Sequence, residues 1–535
     1  MFNNQDKKKG AKQATSSGVG IDRRQRQLQQ IRSKAHKGKL KLFRKDDEEE
    51  EGDQQGMDHT GSITDITQIN KDTHPNHISV DLLPTCLELL QASRTEEEVL
   101  LAVTVVRKLL CVNMNPPNEQ VARMGFPPLL VQLLAVPNEA IQLEAAWAIT
   151  NLAAGDARYA RVVVDAGAVP PLIQMLQSPS DGVRDQAGWA LGNLSGDCTE
   201  YRDLILQGNG LIGLLSAAMY DGASLSSIRN CSWAVANMFR KKPAVPLEVA
   251  IPALSALAHL VYHTDTSVIS DSAWSISYIG DGPAERVQAV INAGVMPRMV
   301  ELLASPAHEI RMPAIRAVGN CAAGEEAQTQ LVVNLGVLPH LGNLMADSKR
   351  TVRKEVCWTI SNIIAGTAEQ TEAAVNSGVM VPVVQQALSA PELDVRREAC
   401  FCVSNLLATR IPSYMEYLLN MSLLPPLANC LRVGDTKILV VALECVEYCL
   451  EYGAAVAEAT GSTNTVADAL YECGAVDSLE SLQSHNDVHV YDLALNIIEG
   501  YFATEEEMNF AGQQQMMQDF ADPNNMNGGG GAFNF

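Results

Sequence analysis

A tryptophan followed four residues later by an asparagine recurs along this chain at a near-constant interval, and that interval dictates the fold class. WAITN places Trp147 and Asn151, WALGN Trp189 and Asn193, WAVAN Trp233 and Asn237, and WTISN Trp358 and Asn362. Degenerate copies at Trp274/Tyr278, Arg316/Asn320 and Phe401/Asn405 complete a ladder with steps of 42, 44, 41, 42, 42 and 43 residues. A period in this range marks stacked helical repeats, each packing only on its neighbours. Such a stack lets 535 residues fold without one oversized core. Residues four apart share a helix face, so the stack is expected to present a line of indoles and amides along one surface.

Glycines repeat the period. Gly125, Gly167, Gly294, Gly336 and Gly378 each open a segment such as AGAVPPLIQML or NAGVMPRMVELL. Glycine suits a helix end or turn, and proline the first turn of the helix that follows. Helix-period apolar patterning runs from near Ser79 to about Phe502, a span with room for about ten repeats. The expected organisation is a basic arm over 1–45, an acidic and polar linker over 46–78, a helical solenoid over 79–508 and a low-complexity, disordered tail over 509–535. Within the arm, the stretch from Asp22 to Leu42 can form a helix. With Leu28, Ile31 and Leu42 as its few apolar anchors, it is expected to order only on binding.

Charge is divided unevenly. Residues 1–45 carry fourteen Lys and Arg against Asp6 and Asp22, so the total of −22 leaves the rest of the chain at −34. An acidic body attracts basic partners and disfavours nucleic acid. The chain has no apolar run long enough to span a bilayer, and MFNNQDKKKG lacks the apolar stretch of a secretory signal. The twelve cysteines include no CxxC pair, so core filling is the expectation and no metal or other cofactor is implied.

The stripe has a chemistry of its own. In EAAWAITNL, Ala145, Ile149 and Leu152 form the apolar face. Trp147 lies off it, in line with Glu144 and Asn151. Gln186/Trp189/Asn193, Asn230/Trp233/Asn237, Asp271/Trp274/Tyr278, Glu355/Trp358/Asn362 and Glu398/Phe401/Asn405 repeat the arrangement. An amide holds a partner's backbone whatever its side chains. Indole faces take the stems and cationic heads of Lys and Arg, and nearby carboxylates take the charge. Helices about 8–10 Å apart, facing a strand that rises about 3.3 Å per residue, would each read two or three residues. The pattern therefore points to an extended basic peptide.

With these residues in place the chain resembles the importin-α family, the adaptors that carry nuclear-localisation-signal cargo. The ladder, the arm KKKG…DRRQRQLQQIRSKAH and the terminal segment YECGAVDSLESLQSHNDVHVYDLALNIIEGYF carry the resemblance. It implies an all-α, right-handed superhelical armadillo-repeat solenoid and two cargo sites. The major site would comprise Trp147, Asn151, Gly155, Gln186, Trp189, Asn193, Asp197, Trp233 and Asn237. The minor site would comprise Asp271, Tyr278, Asp281, Arg316, Asn320, Glu355, Trp358, Ser361, Asn362, Glu398, Phe401 and Asn405. Ala160 stands where the family has a threonine, which implies the loss of one hydrogen bond to the cargo lysine; Phe401 stands where the family has a second minor-site tryptophan, which implies a weaker minor site. Arg23, Arg24, Arg26, Arg32, Lys34, Lys37, Lys39, Lys41, Arg44 and Lys45 would form the importin-β-binding arm. Its last basic cluster, KLKLFRKDDEEEE, is interrupted and then met by acids, so weak self-inhibition is expected. The resemblance also implies a nuclear export receptor as partner, shuttling between cytoplasm and nucleus, and no membrane insertion.

Two other classes compete. A junctional or signalling armadillo scaffold would be expected to have a basic groove, against the acidic body found here. An enzyme would need more than ten dispersed histidines unaccompanied by a nucleophile motif, P-loop or metal spacing.

Overall fold

The computed structural model describes residues 62–92, 95–112 and 115–502. About three quarters of them are helical; among the described residues the β pairing is one isolated bridge, Ile63 with Ile78. Among the described residues, ten long helices recur at roughly the repeat interval. They are α1 (Glu96–Leu110), α2 (Glu139–Ala154), α3 (Asp181–Asp197), α4 (Leu225–Arg240) and α5 (Thr266–Ile279). There follow α6 (His308–Ala322), α7 (Arg350–Ile364), α8 (Leu393–Leu407), α9 (Thr436–Thr460) and α10 (Val488–Tyr501). A pair of shorter helices separates most neighbours, such as Ala157–Asp165 and Val169–Met175 between α2 and α3. Between α4 and α5 the pair is replaced by a single helix, Leu247–Leu260. The expected ten-repeat helical architecture is what the chain adopts. It divides at Gly324/Glu325 into two compact units, with α1–α6 in the N-terminal unit and α7–α10 in the C-terminal one.

The turn between short helices explains the glycine period. Gly125, Gly167, Gly294, Gly336, Gly378 and Gly474 have φ between 71° and 88°, a left-handed conformation that costs a residue with a Cβ about 1–2 kcal/mol. Asn209 and Ser422 adopt it at φ 61° and 59° in repeats that lack the glycine. Pro127, Pro170 and Pro297 stand in the first turns of the helices that follow, where a missing N–H leaves nothing unsatisfied.

In four repeats an arginine binds the long helix to the turn before it. Near the start of a long helix, Arg184, Arg311, Arg353 and Arg396 reach back to the carbonyls of the preceding turn: Ser178 and Pro179, Ser305 and Pro306, Asp347, and Ala390 respectively. Adjacent repeats are pinned by Arg229 on Asp265, Arg353 on Glu392 and Arg397 on Asp435.

Ahead of α1 the chain forms a strap. Its first described part coincides with the end of the expected linker, yet residues 62–78 are folded onto α1. Ile63 and Ser79 exchange backbone bonds with His77 and Ile63 (2.7 and 3.0 Å), and Ile69 and Ile78 are buried. These apolar residues, sparse in a polar sequence, provide the attachment. The expected arm over 1–45 and tail over 509–535 lie outside the described residues.

Candidate peptide groove

In the N-terminal unit the periodic residues fall on successive long helices: Trp147 and Asn151 on α2, Trp189 and Asn193 on α3, Trp233 and Asn237 on α4. The apolar face anticipated for α2 is buried as Ala145, Ile149 and Leu152, and Trp147 stands half-exposed beside it. Trp189 lies deeper, at 6% exposure. The same helix, α3, carries a glycine stripe. A Cβ on Gly188, Gly192 or Gly196 would lie 2.8 Å from Cys231 Sγ, 2.3 Å from the Trp233 ring and 3.1 Å from Asn237 Nδ2. Three glycines at helical spacing thus let α4 close onto α3 and set the Trp233 indole directly against backbone.

The amides form a relay. Asn193 Nδ2 donates to the Thr150 carbonyl (3.3 Å), Asn237 to Gly192 (3.1 Å) and Asn320 to Ser277 (2.9 Å). Each reaches the preceding long helix at the residue just before that helix's own rung. Asn151 donates instead to Cys111 Sγ at 3.0 Å. One amide edge is therefore held by the protein, which orients the other. Asn193 Oδ1, on a side chain only 7% exposed, has no hydrogen-bond partner among the described residues. A buried acceptor left unpaired costs about 1–3 kcal/mol, so this oxygen calls for a donor.

The residues three before each tryptophan have structural partners. Glu144 pairs with Arg107 at 2.7 Å, Gln186 Nε2 donates to Thr150 Oγ1 at 2.6 Å, and Asn230 Nδ2 donates to Asp185 at 2.7 Å. Arg107 lies 4.3 Å over the Trp147 ring. Burial alone would lower its pKa, but the bond and charge of Glu144 leave it above its ordinary value, so it stays cationic. Burial pushes the neighbouring Cys111 thiol up, against the pull of Arg107. Gly155 caps α2, and Ala160 is buried in the packed face of its own helix. The backbone carbonyl of Asp197, last residue of α3, accepts from Lys241 Nζ at 2.7 Å.

Farther along this unit the character changes. Trp274 stacks on Tyr278 with centroids 5.3 Å apart and planes 20° from parallel. Burial pushes the Tyr278 hydroxyl up to about 12, while Arg240 and Arg316 pull the other way. Asp271 is half-buried, and Asp281 pairs with Lys242 at 3.1 Å. An aromatic stack beside two arginines replaces the Trp–Asn rung here.

The C-terminal unit repeats the relay. Asn405 Nδ2 donates to the Ser361 carbonyl at 2.9 Å, again one residue before a rung. Asn362 turns to its own helix, donating to Trp358 O at 2.9 Å, and Ser361 Oγ donates to the same oxygen at 2.8 Å. Glu355 is buried with Lys354 Nζ at 3.3 Å. Trp358, Glu398, Phe401 and Asn405 are half-exposed.

Arg107, Thr150 and the α3 glycines escaped the sequence reading. The glycines were visible as a four-residue spacing in GWALGNLSG; nothing marked Thr150.

The armadillo/β-catenin-like repeat family matches at 115–154, 156–196, 283–323 and 325–365, and the atypical armadillo repeat at 464–517. Among curated proteins, importin subunit alpha-B of Dictyostelium discoideum is 41% identical over 450 residues, covering 84% of this chain and 86% of that protein. Importin subunit alpha-4 of Arabidopsis thaliana is 40% identical over 437 residues, covering 81% and 79%. Importin subunit alpha-1b of Oryza sativa is 38% identical over 427 residues, covering 79% and 80%. In fold, the crystal structure of an engineered protein matches with a TM-score of 0.69 at 22% identity, over 79% of this chain and 99% of that one.

Proposed function

The chain belongs to the importin subunit alpha family, and from that premise we propose that it is a nuclear import adaptor whose groove binds basic nuclear localisation signals in extended form. The buried acceptor of Asn193 carries this reading. It belongs to the tryptophan-bearing stripe of α3 and lacks a donor, which the backbone N–H of a peptide drawn against that stripe would supply. Trp189 and Trp233 flank the same stretch, with Asp197 at the end of α3. Stems of Lys and Arg would lie on the indoles, and Asp197 would take a lysine ammonium. Trp358, Asn362, Phe401 and Asn405 of the C-terminal unit would take a second basic segment, more weakly because phenylalanine offers a smaller π-face. The basic arm would bind importin-β, the C-terminal repeats an export receptor, and the protein would shuttle between cytoplasm and nucleus.

The test is fluorescence anisotropy of a labelled PKKKRKV-type peptide titrated with the full chain and with Trp189→Ala/Asn193→Ala. Binding that the double variant loses, with helical circular dichroism retained, supports the groove. Absent binding, or affinity unchanged by the substitutions, overturns it and favours an armadillo scaffold.

A further inference from the structure

The ladder has a rung before Trp147, and the strap lies on it. Burial aligns α1 with α2: Ala102, Val103, Val105, Val106, Leu109 and Leu110 repeat the buried set Ala145, Ala146, Ala148, Ile149, Leu152 and Ala153. In that register Thr104 takes the place of Trp147, and Lys108 that of Asn151. Lys108 is only 4% exposed. Its ammonium donates to the carbonyls of Lys71 (2.8 Å) and Thr73 (2.7 Å). The rung position that elsewhere donates to the preceding long helix here donates to the strap. Buried Ile69 and Ile78 and the Ile63–Ile78 bridge hold that strap closed on either side of these contacts. Arg107, one residue earlier, already covers a face of Trp147.

We propose that residues 62–78 are an internal end stop, which closes the groove at the Trp147 rung and sets the register of the bound basic peptide. The inference rests on the peptide-binding reading above. A ladder of near-equivalent rungs lets an extended peptide slide by one repeat. A strap fixed on the first rung removes the outermost register and leaves Trp147 as the terminal subsite. Lys108 is a positioning residue here: it acts through the strap and does not touch the peptide.

The full chain is titrated with three labelled peptides: a PKKKRKV-type core, and the same core extended by four residues at its N-terminus or at its C-terminus. Each is repeated with Lys108→Asn, which removes the ammonium and places a ladder amide on the first rung, and with Lys108→Met, which only frees the strap. Hydrogen exchange of the amides of Ile63 and Ser79 reports strap release. Expected for the wild type are affinities within twofold for core and strap-side extension, whichever terminus that proves to be. Expected for Lys108→Asn are faster exchange in the strap, an unchanged affinity for the core, and at least fivefold tighter binding of one extended peptide. Lys108→Met would share the faster exchange with a smaller gain. Equal gains from both extensions in the wild type would overturn the end stop while leaving the groove intact. So would strap exchange unaffected by either substitution, or a released strap with no gain. Failure of the core peptide to bind the wild type would instead remove the peptide-groove reading, and the end stop with it.

Discussion

Asn193 is tied down on its nitrogen, while its buried oxygen has no partner among the described residues, so its replacement removes one structural bond and one acceptor. Asn193→Ala is expected to lower affinity for a basic peptide by about tenfold or more, the equivalent of a lost buried hydrogen bond, as read by anisotropy. Asp265 answers to pH. It caps α5 by accepting from the Ser267 and Val268 amides (both 3.1 Å) and pairs with Arg229. The Arg229 bond, foremost, and these amides hold its carboxyl below the usual 3.8. A depressed carboxyl contributes stability that is fully present above the ordinary Asp range and is lost as pH falls through the folded value. Asp265→Ala is expected to cost about 1–2 kcal/mol near neutral pH and progressively less below about pH 4, measured by urea unfolding at several pH values. At this scale the sequence was legible in part. The W-x₃-N spacing put the right side chains on successive long helices, but it could not say that Asn193, Asn237 and Asn405 reach across to the preceding helix while Asn362 turns to its own, because that bond depends on two helices meeting.

The repeat unit shows why some elements could be read and others not. Left-handed turns are advertised by glycine, and Gly167 was identified; Asn209 and Ser422 hold the same φ without advertising it. The helix Leu247–Leu260 has no such break, which hides its repeat from any search for the turn. Gly167→Ala is expected to cost about 1 kcal/mol through backbone strain alone, since a Cβ there meets nothing within 4 Å. Thermal unfolding would measure it. Gly192→Ala is a different case. Its Cβ would enter the Trp233 ring at 2.3 Å, and an overpacked site costs about 1–3 kcal/mol. The indole should be pushed outward, with a red-shifted tryptophan emission and a weaker hold on basic peptide. A Gly192→Ala protein with native stability and emission would show that α3 and α4 do not need so close an approach.

For the molecule as a whole, a net charge of −22 with an arm of opposite sign makes association with basic peptide an electrostatically steered event. The on-rate should fall as salt rises from about 50 to 300 mM, with a smaller change in off-rate, by stopped-flow. The interrupted basic cluster at the end of the arm predicts a modest contribution from self-competition. Removing residues 1–61, which retains the strap, should leave peptide affinity nearly unchanged; a large gain would mean that the arm occupies the groove despite its acidic flank.

Lys108 also makes the strap visible to covalent chemistry. An ammonium bonded to two backbone carbonyls and shielded from water cannot meet an acylating reagent until the strap lifts. Exposed lysines such as Lys349 should therefore be labelled at once, whereas acylation of Lys108 should track strap opening, turning one amine into a clock for residues 62–78.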